Sequence, residues 1–214
     1  MAERRVNRLT TPRAAAVAGV LFALLFGTSL VLIRLALPEG EQPGAQWLQS
    51  GSTNLKVSAM IMPFAGIAFL WFMGVVRDGL GRYEDRFFST VFIGSGLLFL
   101  AMMFVATGVG AGLERSHAAG DPGVATFGQM VLLTVSKTYA LRMAAVFMIS
   151  LATIWLKTGL MPRWLVAVSY LAAVGLLIAS DITMWLVLAF PVWVLVVSLL
   201  LLVRAGVIDL DRDD

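Results

Sequence analysis

Two basic residues lie inside one of the longest apolar runs of the chain, in the stretch QMVLLTVSKTYALRM that covers residues 129–143. With two threonines they form a set of four polar side chains: Thr134, Lys137, Thr138 and Arg142. At 100° per residue the four fall within about 140° of arc on a helix. Such a cationic strip could bind an anionic group, for example a lipid headgroup, a phosphate or a carboxylate substrate.

Basic residues near other predicted helix ends extend this candidate site. Arg34 ends the first apolar run and Lys56 begins the second, so both are expected at a similar depth to the strip. A second interpretation is that all these residues are interfacial anchors, because long basic side chains near helix ends extend toward the headgroups. The acidic residues available to pair with them are Glu39, Glu41, Glu114 and Asp181. Asp181, in the outer turn of the last hairpin, is the partner that the sequence favours, and it could equally be a solvated turn residue.

The apolar run around Lys137 is too long for one membrane crossing. Residues 126–156 would make a helix of about 46 Å, whereas the hydrocarbon core of a bilayer is about 30 Å thick. Trp155 and Lys157 are typical anchors for its inner end. Counting about 20 residues outward from that anchor places Lys137 at the outer interface and Arg142 about one turn deeper. The residues before Lys137 are predicted to project outward or to lie along the interface.

The bulk composition indicates that the helices that carry these residues lie in a membrane. Of the 214 residues, 59% are hydrophobic and 14% are charged, and the mean hydropathy is +0.89. An ordinary soluble domain has far fewer apolar residues and could not bury this much apolar surface. The small net charge of +3 is concentrated in short segments beside apolar runs, so no nucleic-acid partner is predicted.

Six apolar segments are long enough to cross, and they predict an all-α, six-helix bundle in one membrane domain. The predicted spans are residues 14–35, 57–76, 87–108, 126–156, 164–182 and 185–203, followed by an acidic tail at 205–214. The last two spans are predicted to form a tight helical hairpin. Eleven of the 16 basic residues fall on the side of the N-terminus, which predicts cytoplasmic termini and a multi-pass protein of the plasma (inner) membrane.

The loop between the second and third predicted spans contains a recognisable pattern. Gly74, Asp78, Gly81 and Arg82 in GVVRDGLGRY resemble the G-x-x-x-D-x-x-G-R pattern of major-facilitator transporters, which also joins their second and third helices. Gly79 and Tyr83 depart from it, because the family usually has basic residues there, and six spans are half of that family's twelve. The resemblance implies that Asp78 and Arg82 gate helix movements on the inner side.

Other features bear on packing and on chemistry. Gly108 and Gly112 have the G-x-x-x-G spacing that favours close helix packing in lipid. The chain has no cysteine and one histidine, His117, in a polar segment, so thiolate sites and bis-histidine haem are excluded and no metal or cofactor is predicted. The usual intramembrane catalytic groups are missing too, which predicts that the protein is not an enzyme.

Much of the chain resembles a family of uncharacterised six-helix bacterial membrane proteins. The resemblance is carried by PRAAAVAGVLFALLFG, by FAGIAFLWFMGVVRDGLGRYEDRFFSTVFIGSGLLFLAMMF and by FPVWVLVVSLLLLVRAG. It implies the six-span topology and no particular activity.

Two functions therefore remain open. The first is a non-enzymatic subunit or lipid-interacting protein, with membrane lipids and a protein partner or a second copy as its partners. The alternative is a small secondary transporter that acts as an oligomer, in which a midplane cavity would reach Thr134, Thr138, Ser150 or Ser169.

Overall fold

A computed structural model describes residues 11–37, 46–80, 86–116, 118–179 and 184–204, and they are almost entirely helical. The α-helices are α1 (Thr11–Ala36), α2 (Gln46–Leu80), α3 (Arg86–Arg115), α4 (Pro122–Leu133), α5 (Leu141–Thr158), α6 (Arg163–Ala179) and α7 (Ala189–Arg204). A π-helical segment, Thr134–Ala140, joins α4 to α5, and a 3₁₀ turn, Met184–Leu188, leads into α7. The predicted acidic tail lies outside the described residues.

The predicted all-α membrane bundle is confirmed. Five helical stretches are long and apolar enough to cross a membrane: α1, α2, α3, the continuous run from α4 to α5, and the run that ends in α7. The remaining helix, α6, is apolar but has only 17 residues. At 1.5 Å per residue it is about 26 Å long, which is near the lower limit for a span.

The helices form two layers of three. In one layer α1 lies between α2 and α7, and in the other α5 lies between α3 and α6. We call the end at which α1 begins and α5 finishes the near end, and the opposite end the far end. In each layer the central helix, α1 or α5, lies beside the helix that follows it in the chain and beside one helix from the other half of the chain. Since α1 and α5 cross the bundle in opposite directions, the second layer repeats this arrangement in inverted orientation.

The prediction that the last two spans pack tightly against each other is wrong. Helix α7 packs along α1, helix α6 packs along α5, and α6 and α7 touch each other at few points. A side-chain hydrogen bond joins them, because Trp193 Nε1 donates to Ser169 Oγ at 2.8 Å. The close approach of α7 to α1 depends on Gly19, since a methyl group added there would lie 1.9 Å from Ser198 Oγ.

Aromatic rings fill the space between the layers. Phe69 of α2 is fully buried. Its ring centroid lies within 6.4 Å of five others, those of Phe22, Phe72, Phe99, Phe147 and Phe190. These rings come from five different helices, so one aromatic cluster holds both layers together. Trp193 of α7 is buried, and its ring centroid lies 6.0 Å from that of Trp155 in α5.

Two buried serine hydroxyls in the bundle donate to carbonyls of their own helices. Ser150 Oγ donates to the carbonyl of Val146 at 2.8 Å, and Ser169 Oγ donates to that of Leu165 at 2.7 Å. In lipid such bonds remove the cost of an unpaired polar group without requiring a water-filled space. The two serines predicted to line a transport route are therefore bonded inside the packed core.

The far end continues beyond the bundle as a second, smaller apolar cluster, which we call the far-end extension. It is built from the end of α1, the first turns of α2, the last turns of α3, and α4. Its buried residues include Ile33, Leu48, Leu55, Leu113 and Leu132. Helix α2 has 35 residues and α3 has 30. Their lengths of about 52 and 45 Å exceed the hydrocarbon thickness of about 30 Å.

Glycines provide the closest backbone contact in this extension, although not the ones expected. A methyl group on Gly51 of α2 would lie 2.7–2.9 Å from the Cβ, Cα and carbonyl oxygen of Ala36 in α1. In contrast, a methyl group on Gly108 or Gly112 would meet nothing within 4 Å. The G-x-x-x-G spacing therefore does not support close packing within the described chain. Its glycines lie on the exposed side of α3.

Candidate anion-binding site

Most of the predicted cationic strip lies in the π-helical segment Thr134–Ala140. The backbone at both flanks, Leu133 and Leu141, is right-handed helical, so the segment is a wide turn inside one continuous helix. Hydrogen bonds in a π-helix run from residue i to i+5, and such segments are rare and frequent at functional sites. The 100° spacing used to predict the strip does not hold across these residues.

Lys137 and Arg34 both line one small cavity at the far end. Arg34 comes from the last turns of α1, and Lys137 comes from the π-helical segment. The other lining residues are Leu30, Ile33, Leu37, Leu133, Ser136 and Val187. The volume is about 20 Å³, room for about one water molecule. A larger anionic group would therefore bind at the mouth of the cavity, between the two basic side chains.

Arg34 is held by an aromatic neighbour. Its guanidinium carbon lies 5.6 Å from the centroid of the Trp185 ring, which is a cation–π geometry. The Nε atom of Arg34 is buried, and Trp185 is about half exposed. Because tryptophan is enriched at membrane interfaces, this pair supports placing Arg34, and with it Lys137, at the far-end interface.

Lys137 is half-buried and has no ion pair with any residue that the structure describes. Its immediate neighbour Ser136 is buried and donates to the Leu132 carbonyl at 2.6 Å, so that hydroxyl is already bonded. At the interface a long basic side chain can extend to the headgroups, and an ionisable residue of a membrane segment is a functional-site hypothesis by default.

Lys56 does not belong to this site. Its Nζ lies 3.1 Å from Glu114 Oε1, which links α2 to α3 in the far-end extension. Glu114 was one of the four acidic residues that the sequence offered as partners. The other three, Glu39, Glu41 and Asp181, lie outside the described residues.

The rest of the strip is separated from the cavity. Arg142 is half-buried in the first turn of α5 and does not line it. Thr134 is exposed and Thr138 is half-buried, and neither lines it. Of the four residues of the strip, Lys137 is the one that lines the cavity with Arg34. Ser136 and Val187 were missed because nothing in their residue type distinguishes them.

The near end carries the residues of the transporter-like pattern. Asp78 is exposed in the last turn of α2, and Arg82 lies outside the described residues. Gly74 is exposed, and a methyl group added there would meet nothing within 4 Å. The gating role implied for Asp78 and Arg82 stays a prediction.

No protein-family model, no curated protein and no solved structure matches this chain. Among the residues described by the structure, no three or more His, Cys, Asp or Glu side chains come together as metal ligands would. The resemblance to six-helix bacterial membrane proteins therefore stays a prediction. The geometry of the far end is what bears on function.

Proposed function

We propose that this protein is a non-enzymatic, multi-pass protein of the plasma (inner) membrane that binds an anionic phospholipid headgroup at its far end. The observation that carries the proposal is the position of Lys137. It is half-buried on a π-helical turn, shares a cavity with Arg34, and forms no ion pair within the described chain. Two cations on separate elements suit a phosphate, because charge-assisted hydrogen bonds are about twice as strong as neutral ones.

The location of this site at the level of Trp185 favours a lipid over a soluble anion. A phospholipid in the far-end leaflet places its phosphate at that depth and its acyl chains against the exposed apolar side chains below. Val187, in the 3₁₀ turn before α7, lines the cavity together with Arg34 and Lys137. Lipid binding then stabilises the contact between α1, the π-helical segment and that turn.

The test is lipid retention by the purified full-length chain. In native mass spectrometry from a mild detergent, we expect the wild type to retain phosphatidylglycerol in preference to phosphatidylcholine and to release it as salt increases. Excess inorganic phosphate in a second arm separates a headgroup site from a site for free phosphate. A chain that keeps no lipid, or that keeps both lipids equally, contradicts the proposal. A copurifying acidic protein that is lost on substitution of Lys137 would instead indicate a subunit contact.

The proposed orientation places the near end in the cytoplasm. Because the natural sequence has no cysteine, single cysteines give a labelling signal without background. Thr53→Cys at the far end and Asp78→Cys at the near end are both exposed positions. We expect a membrane-impermeant maleimide to label Thr53→Cys in intact cells, and Asp78→Cys only after permeabilisation. The reverse pattern would invert the topology and place the anion site in the cytoplasmic leaflet.

A second candidate function, a small secondary transporter, is favoured by the inverted order of neighbours in the two layers. Many transporters are built from inverted repeats and have interrupted helices at their substrate sites. The filled aromatic cluster and the bonded Ser150 and Ser169 oppose this function. We expect cysteines at positions 150 and 169 to resist a small charged thiol reagent. Rapid modification of either would show a water-filled route and favour transport.

A further inference from the structure

A second lipid-facing feature lies on the outer surface of the bundle toward the near end. Residues of α1 and α2 line a groove there with a volume of about 910 Å³. Its floor includes Ala18 and Ala68, and its rims carry Leu21, Phe64 and Trp71. Every lining side chain is apolar apart from the indole nitrogen of Trp71, so the groove suits hydrocarbon and no polar solute.

The rims favour a flexible chain over a rigid helix as the occupant. Phe64 is 64% exposed and Trp71 is 69% exposed, so both large side chains project outward beside the groove. Helices that associate in lipid approach through small residues, which let their backbones come close. Here the small residues lie at the floor and are buried, while the parts that an incoming helix would meet are bulky. An acyl chain can pass between such side chains.

The polar end of the groove identifies the headgroup. Phe64, Trp71 and Asp78 are spaced seven residues apart, which places them on one face of α2. Asp78 is exposed two turns beyond Trp71, and Arg77 is exposed beside it. The carboxylate of Asp78 at this level complements the ammonium of a zwitterionic headgroup.

We propose that the α1–α2 groove binds one acyl chain of a phosphatidylethanolamine-type lipid in the leaflet of the near end. This site is independent of the anionic-lipid site at Arg34 and Lys137, because it lies at the other end of the bundle and uses other residues. The inference gives Asp78 a role in lipid choice, whereas the sequence pattern had implied gating.

The test uses Trp71 as a reporter in vesicles of phosphatidylcholine that contain the full-length chain. Lipids brominated on their acyl chains quench the fluorescence of a nearby indole. The difference in fluorescence between the wild type and Trp71→Phe gives the contribution of Trp71 apart from the other five tryptophans. We expect brominated phosphatidylethanolamine to quench Trp71 at a concentration roughly two- to fivefold lower than brominated phosphatidylglycerol, the range of an exposed ion pair. Asp78→Asn should remove that preference. Equal quenching by the two lipids in the wild type would overturn the assigned headgroup.

Val17→Phe tests the groove itself. Val17 lines it, is 60% exposed and is outside the buried core, so a larger side chain fills the groove without disturbing the fold. Leu171→Phe, 73% exposed on α6, is the matched control. We expect quenching of Trp71 to fall in the first variant and to be unchanged in the second. Equal quenching in the two variants, or loss of a dimer in native mass spectrometry on Val17→Phe alone, would overturn the acyl-chain site.

Discussion

Replacing Arg34 and Lys137 together by glutamine is expected to weaken phosphatidylglycerol binding by about tenfold or more, since one hydrogen bond to a charged group contributes about 1.5–3 kcal/mol. The two side chains line the same cavity from α1 and the π-helical segment, so a phosphate at its mouth contacts both. Glutamine removes the charge and keeps a polar amide that can still donate hydrogen bonds, on a shorter side chain. The loss should appear as a weaker affinity and as a shallower dependence of that affinity on salt.

Lys56→Gln is the control for the loss of net charge at the far end. It removes one positive charge where the double variant removes two, and Lys56 is 61% exposed and already paired with Glu114 at 3.1 Å. An exposed ion pair contributes about 0–1 kcal/mol, so the control should bind phosphatidylglycerol almost as the wild type does. Affinities are measured by lipid titration in native mass spectrometry. If the control weakens binding as much as the double variant, the far end attracts anions only through its net charge and has no defined site.

Lys137→Arg distinguishes binding from a structural role. Arginine retains the charge and phosphate recognition, so affinity should recover relative to Lys137→Gln. If Lys137 only anchored the helix at the interface, all three forms would bind the same amount of lipid. Circular dichroism of each variant confirms that the helical bundle is intact before affinities are compared.

The membrane helices could be predicted from the sequence because lipid requires each spanning segment to satisfy its own backbone hydrogen bonds. An apolar run of sufficient length is therefore nearly sufficient evidence for a helix. The excess length of residues 126–156 indicated an extended or bent element, and the structure places α4 in the far-end extension accordingly. What the sequence did not show is the π-helical turn. The choice between i+4 and i+5 hydrogen bonds leaves no mark in the apolar pattern.

Pairing between helices was less predictable than the helices themselves. The sequence supplied four acidic candidates for the basic residues, but only the fold brings Glu114 next to Lys56, 58 positions away. A short connection also suggested that the last two spans pack together. Connection length limits how far apart two helix ends lie, and it does not determine which faces match. The missing side chain of Gly19 leaves room for α7 to pack against α1, so the shapes of the two helix surfaces determine this contact.

The largest effect on stability is expected from Phe69→Ala, which should lower the free energy of unfolding by about 3–5 kcal/mol. Phe69 is fully buried, and its ring lies 4.6–6.4 Å from five other phenylalanine rings on α1, α2, α3, α5 and α7. Apolar burial contributes little between helices in lipid, so the loss arises mainly from the dispersion contacts of the ring and from the cavity left behind.

Phe64→Ala provides the comparison, because it removes the same side chain from the same helix. Phe64 lies five residues before Phe69 and is 64% exposed on the lipid-facing surface. Lipid can replace the contacts that it loses, so its substitution should cost less than about 1 kcal/mol. Unfolding of both variants by titration with a denaturing detergent, followed by circular dichroism, gives the difference. Equal stabilities would mean that the space between the layers already accommodates a missing ring. A core with that much free volume would fit a transport route better than a solid lipid-binding bundle.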